Sequence, residues 1–355
     1  MELTNNTEQL LSDINADNGG NITFNTPVIQ KELAADAAAY SGLGIKILSI
    51  AGGLLGSLFF LGFIAMIINQ SAEGLVIFGA MAIAGAVWVE RSQSNTALDA
   101  ACIGAYLAGF AMLGFGIGEM DATDNTVIIA LLIVAVIVLF FTPGYMVSFF
   151  TGLIITGCLF AFITANDAYN LIHLLTAFTG FAYMLASVYE ARLLAAGTAV
   201  NRLYAPLHIS LLFSFLALMG FLATVPKWES RLNTEWISSG IIIALIVFAL
   251  NHITAFINTE NRTRIIIYVL GAVVLGPVIY APAICGAILI LLLSYHTGNR
   301  VGLVMGIAAL VYFTGQYYYD LNFSLLAKSG MMFGTGALFL AAWFILKKQL
   351  QRYES

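Results

Sequence analysis

The chain has 355 residues, 60% of them hydrophobic and only 9% charged, with a net charge of -5 and a mean hydropathy of +0.92. Soluble domains carry about 25% charged residues, and a soluble chain of this size cannot hide so much apolar side chain behind so few charges. A water-soluble globular protein is therefore excluded, and without a basic arm a nucleic-acid binder is too.

A lipid bilayer lets the outer surface be apolar. In hydrocarbon each backbone N–H and C=O must be paired within a helix or a closed barrel. A barrel needs stretches of about ten residues with alternating polarity. Here the apolar runs are continuous and of helix-spanning length, so the expected fold is all-α: a polytopic transmembrane helix bundle preceded by a short soluble helical segment. Cys102, Cys158 and Cys285 each fall inside an apolar run. An odd set of thiols there reads as packing and not as a disulfide framework.

Residues 1–43 are polar and acidic, with neither the basic start nor the early apolar core of a signal peptide, and are expected to stay on the mature chain as a soluble cytoplasmic segment. Two short helices are expected there. Asn6 or Thr7 caps the first, which ends at Gly19 and Gly20. Thr26 and Pro27 open the second at N-cap and N1.

Residues 44–347 form the membrane domain, and 348–355 a cytoplasmic tail. About twelve spans are predicted: Ile45–Ile68, Ala72–Val89, Asp99–Gly118, Thr126–Phe141, Tyr145–Thr164, Asn170–Tyr189, Leu207–Val225, Trp236–Ile257, Ile265–Ile279, Pro282–Tyr295, Val301–Tyr319 and Ala327–Leu346. Tight hairpins lie at Thr142, Pro143 and Gly144 and between Pro277 and Pro282. The short ninth and tenth segments either cross or dip in and return. Pairs of small residues four apart, at Gly52 and Gly56, Gly114 and Gly118, Gly302 and Gly306, and Gly330 and Gly334, are expected to let helix backbones approach closely.

With both termini cytoplasmic, only Lys227, Arg231 and Lys328 of the 14 Lys and Arg residues fall outside, beside an acidic loop containing Glu119, Asp121 and Asp124. That asymmetry obeys the positive-inside rule, and Trp88, Trp228, Trp236 and Trp343 fall at span ends, where indole rings settle.

The end of the chain carries Gly315, Gln316, Tyr317, Tyr318, Tyr319, Asp320 and Leu321, then Leu325, Leu326, Ala327, Lys328 and Ser329, then a glycine and an apolar run. This resembles the domain of unknown function 4401 family, as does the earlier stretch ending at Trp88, Val89, Glu90 and Arg91. The resemblance implies a bacterial inner-membrane location and nearly complete coverage of the membrane region. It implies no reaction and no cofactor. It also implies a companion membrane-anchored protein bearing a Gly-Asp-Tyr motif.

No Asp, Glu, Lys or Arg occupies the middle third of any predicted span. A charge there costs roughly 2.5–3.5 kcal/mol, and its absence argues against proton coupling. Gln316, Tyr317, Tyr318, Tyr319, Asp320 and Lys328 form one candidate site, at the outer interface, for a partner or polar ligand. Lys328 begins a helix, where a cation is unfavourable, so an ion pair with Asp320 or another outer acid is expected; the plainer reading is a structural clasp. Asn251 and His252 form a second candidate site, within the membrane, again weighed against plain helix-linking hydrogen bonds. His208 and His296 sit at similar depth, but no metal-ligand spacing joins them, and His173 belongs to the opposite face. The two tight hairpins lie five spans apart, the arithmetic of an inverted repeat, although no residue-level match accompanies it. No hydrolase or phosphate-loop motif appears.

Three functions remain. The first is a non-catalytic scaffold or membrane subunit working with a partner. The second is a transporter or carrier of a small neutral or lipid-like molecule. A membrane enzyme has the least support.

Overall fold

The structure is a computed structural model that describes residues 71–92, 96–141, 144–195, 197–224, 235–256, 261–275 and 281–320, with scattered positions in 52–67 and 333–340. Among the described residues the regular elements are all helices. In chain order they are α1 (Ala72–Ser92), α2 (Thr96–Glu119), α3 (Asp124–Phe141), α4 (Tyr145–Ala165), α5 (Asn170–Val188), α6 (Glu190–Ala195), α7 (Thr198–Thr224), α8 (Glu235–Phe256), α9 (Asn261–Leu275), α10 (Pro282–Thr297) and α11 (Arg300–Asp320).

Ten of the predicted spans overlap these helices, although α7 begins at Thr198, nine residues before the predicted Leu207; of the first and last only the scattered helical positions are described, and the N-terminal segment and the tail lie outside the described residues. Eight of the described helices are long and apolar enough to cross a membrane. Helix α10 has 16 residues, about 24 Å at 1.5 Å per residue, less than the roughly 30 Å of hydrocarbon. Most of its residues are buried among α5, α7, α8 and α11. Surrounded by protein, it need not match the bilayer.

Two hydrophobic cores run side by side. One joins α1 to α4 around Ile83, Tyr106, Phe110 and Val147. The larger joins α5, α7, α8, α10 and α11 around Tyr183, Phe215, Met219, Ile242, Leu289 and Leu293. Helix α4 packs against α7 and links them. The outward residues are apolar as well: Phe115, Ile133, Phe140, Ile265 and Val311 are all exposed, which suits lipid and not water.

The helices alternate in direction. One end of the bundle carries Glu119, Asp121 and Asp124; the other carries Arg192, Arg202, Arg264 and Arg300. We call them the acidic and basic ends. Two turns at the acidic end each place an aspartate in the left-handed region, Asp121 at φ 54° and Asp167 at φ 52°, a conformation that short polar side chains tolerate. At the basic end Gly298, at φ 68°, stops α10 and the Asn299 side chain accepts from the Gly302 N–H at 3.1 Å to cap α11.

The glycine spacing needs a correction at α2. A Cβ on Gly118 would meet no described atom and one on Gly114 would meet only side chains of α3. The close approach instead uses the other face of α2. A Cβ on Gly109 would lie 3.0 Å from the Gly79 carbonyl, and one on Gly116 would lie 2.9 Å from the Ala72 carbonyl and from Leu75 Cβ. The spacing of seven puts both on the stripe facing α1. Gly302 and Gly306 do line the α10–α11 contact, against Ser294 and Leu291.

Gly116→Val is therefore expected to lower the melting temperature of the purified protein, with an overpacking cost of about 1–3 kcal/mol. Gly118→Val should leave it unchanged. Fluorescence-detected thermal unfolding in detergent compares the two.

Candidate functional site

The deepest polar constellation joins α5, α7 and α10 near the basic end. Tyr183 and Ser187 are four apart on α5, and Tyr204 and His208 four apart on α7, so each pair shares a helix face. The faces meet with the His208 ring stacked between the two tyrosines. Its centroid lies 5.0 Å from Tyr183, with 19° between planes, and 5.5 Å from Tyr204, with 11° between planes. Ser187 Oγ donates to the Tyr183 carbonyl at 2.9 Å. Its one hydrogen is thus used, so it accepts from His208 Nε2–H at 2.9 Å. Tyr183 and Ser294 exchange a hydroxyl hydrogen bond of 3.2 Å, and Tyr204 donates to the Ala186 carbonyl at 3.1 Å. Gly302 leaves the room that Ser294 needs, for a side chain there would collide with its hydroxyl.

Nearer the acidic end, His173 Nδ1 bonds Ser238 Oγ at 2.5 Å. The buried face of α5 thus reads His173, Thr176, Thr179, Tyr183 and Ser187, a polar line along nearly the whole helix. It is interrupted midway. The Phe215 ring wedges between Gly180, where a Cβ would lie 2.8 Å from it, and Gly286, where a Cβ would lie 3.3 Å from it. The Thr176 and Ser239 hydroxyls are buried with no hydrogen-bond partner among the described residues.

The Asn251 and His252 side chains point apart. Asn251 is exposed and accepts a hydrogen bond from Arg264, joining α8 to α9 at the basic end. His252 is half-buried, its ring edge-on to Tyr189 at 5.9 Å, and Tyr189 lies under the Arg192 guanidinium at 5.5 Å. His208 is therefore not joined to His252. Among the described residues no group of three or more His, Cys, Asp or Glu is placed to hold a metal ion.

At the end of α11, Gln316, Tyr317 and Tyr318 are half-buried and Tyr319 is exposed. Tyr317 packs on the larger core, and the Tyr318 and Tyr319 rings meet edge-on at 5.7 Å. Asp320 closes the helix; its side chain and Lys328 lie outside the described residues, and so does the ion pair expected between them.

Two features escaped the sequence reading. The first is Glu90. Helix α4 starts at Gly144, which has no side chain to cap it, and the Glu90 carboxylate accepts from the Val147 N–H at 3.3 Å, where the helix dipole favours an anion. The space left by the missing Gly144 side chain is where that carboxylate sits. Beside it Tyr106 and Thr151 share a buried 2.7 Å hydrogen bond. A glycine at a helix start with no capping residue was the available signal. The second feature is a lateral groove of about 610 Å³ at the acidic end, between α2, α3 and α4, lined by Gly114, Phe115, Gly118, Val127, Ile128, Ala161 and Ala165, with Glu119 and Asp124 among its walls.

A family model described as domain of unknown function (DUF4401) matches residues 43–349. The chain belongs to this family. No curated protein and no solved structure matches it. The DUF4401 description carries no reaction with it, and the membrane character of the chain comes from its own long apolar helices.

Tyr183→Phe removes one buried hydroxyl and leaves Ser294 unpaired, so a loss of about 1–2 kcal/mol is expected. His208→Ala also removes two stacked faces and should cost more. Unfolding titrations in mixed micelles rank the two; equal stability of all three proteins would contradict a stabilising role for the His208 stack and the Tyr183–Ser294 hydrogen bond.

Proposed function

We propose that the protein is a non-catalytic membrane subunit that works with a partner protein in a bacterial inner membrane, with both termini in the cytoplasm. The observation that carries this reading is where space is left. The larger core is filled at mid-depth by Phe215, held between two glycines, while a hollow of about 610 Å³ opens sideways at the edge of the smaller one. A carrier needs a polar site within the bundle. A subunit needs a lateral surface. The companion membrane-anchored protein implied by the resemblance fits the second arrangement.

A carrier of a small neutral or lipid-like molecule is the second reading, favoured by the polar line along α5. In that reading Phe215 is the barrier between the two halves of the path, and the buried Thr176 and Ser239 hydroxyls face solute in another conformation.

One pair of measurements separates them. The full-length chain, purified gently from its own membranes, should bring one other membrane protein in fixed proportion. Reconstituted alone in liposomes, it should leave their permeability to small neutral solutes at the protein-free level, and Phe215→Ala should not raise it. A chain that purifies alone and conducts solute, more so as Phe215→Ala, supports the carrier and overturns the subunit.

A further inference from the structure

The groove at the acidic end has a chemistry that selects its occupant, and this inference deepens the subunit reading on which it rests. Its floor and walls are small or apolar. Gly114 and Gly118 lie one helical turn apart on α2, and Ala161 and Ala165 one turn apart on α4. This is the pattern by which helices approach closely in lipid. Yet Gly118 faces open space among the described residues, while the α1–α2 contact uses Gly109 and Gly116 instead. Gly114 meets only side chains of α3, and the Gly118 end of this small face is left open among the described residues.

The walls are held in place. The Asn125 and Asn166 side-chain amides donate to each other, at 2.9 Å and 2.7 Å, and pin the start of α3 to the end of α4. Two carboxylates then stand at the mouth, Glu119 at the end of α2 and Asp124 at the start of α3. Both are exposed. Asp124 suits its helix N-terminus, but Glu119 closes a helix, where the dipole disfavours an anion. Neither has a cationic partner among the described residues. From Gly114 to Glu119 the groove runs about 7 Å along the helix axis, which is the reach of one long side chain and not of a lipid tail.

We propose that this groove receives a transmembrane helix of a partner protein that presents one Lys or Arg at the level of Glu119 and Asp124. The partner's small-residue face packs on Gly114, Gly118, Ala161 and Ala165. The apolar stem of its basic side chain lies along Phe115, Val127 and Ile128, and the cation reaches up to the two carboxylates, as long basic side chains do at interfaces. Charge complementarity selects this occupant over an amine-bearing phospholipid. The phosphate of such a lipid lies a few ångströms from its ammonium and would bring a further anion against the two acids.

The test uses the full-length chain in liposomes with a photo-crosslinking amino acid in place of Phe115, which is exposed on the groove. The probes are three synthetic transmembrane peptides of Leu and Ala, with Lys, Gln or Glu one turn from one end. The Lys peptide is expected to crosslink about fivefold more than the Gln peptide, and the Glu peptide least. The preference should vanish in the E119Q/D124N double variant and fall in 0.5 M salt. Because the peptide series is read on the native carboxylates, the result does not depend on the variant folding. Equal labelling of the three peptides overturns the proposal, as does labelling of lipid alone or a crosslink within the chain to residues 327–346. Such a failure beside a co-purifying partner removes this groove and leaves the subunit reading standing. A chain that purifies alone and conducts solute removes that reading whatever the peptides do.

Discussion

In hydrocarbon no water is present to pair a backbone N–H or C=O, and the rest of this structure follows from that constraint. Each segment must satisfy itself as a helix. Once it has, burying more leucine gains little, because lipid is as apolar as the core. What holds helices together is close packing and a few polar bonds placed where nothing else could pair them. Both appear here at named positions. Gly79, Gly109 and Gly116 bring α1 and α2 to backbone contact. His208, Ser187, Tyr183 and Ser294 tie α5, α7 and α10.

The same constraint explains how polar groups are distributed. Among the described residues charges stand toward the two ends, and the buried polar groups are hydroxyls, imidazoles and thiols, most of the hydroxyls turned toward a neighbouring helix or their own backbone. Thr151 and Thr179 donate to carbonyls one turn back, and Ser187 does so while also meeting His208. Among the described residues Glu90 is the acid that reaches the rim of the smaller core, and it is met by the N-terminus of α4. An anion at that depth is supportable because the helix end supplies both a donor and a favourable dipole.

The two halves of the bundle differ in what they leave open. Around α10 the spaces are filled, with Phe215 between Gly180 and Gly286 and Met219 beside Gly286. Around α2, α3 and α4 they are not, and the unfilled part lies at the mouth, beside the carboxylates. A partner seated there would extend the packing that α1 and α2 already use. It would add little new apolar burial, and its specificity would come from charge and shape.

The sequence by itself determined class and segmentation. Uninterrupted apolar runs in a chain with 9% charged residues allow only spanning helices, and the turn residues between them set boundaries close to most helix ends from Ala72 to Asp320, though not the short α6 or the start of α7 at Thr198. It also marked Gly302 and Gly306 as a close contact. Which face each helix turns inward was decided only by the tertiary structure, for a physical reason. In a soluble helix polarity marks the outside; here both faces are apolar, and the pattern carries almost no directional information. Gly114 and Gly118 therefore read as a packing pair although Gly109 and Gly116 make the contact. Asn251 and His252 read as one deep site although their side chains diverge. The stack of His208 between Tyr183 and Tyr204 depends on the rotation of α5 against α7, which no local spacing specifies.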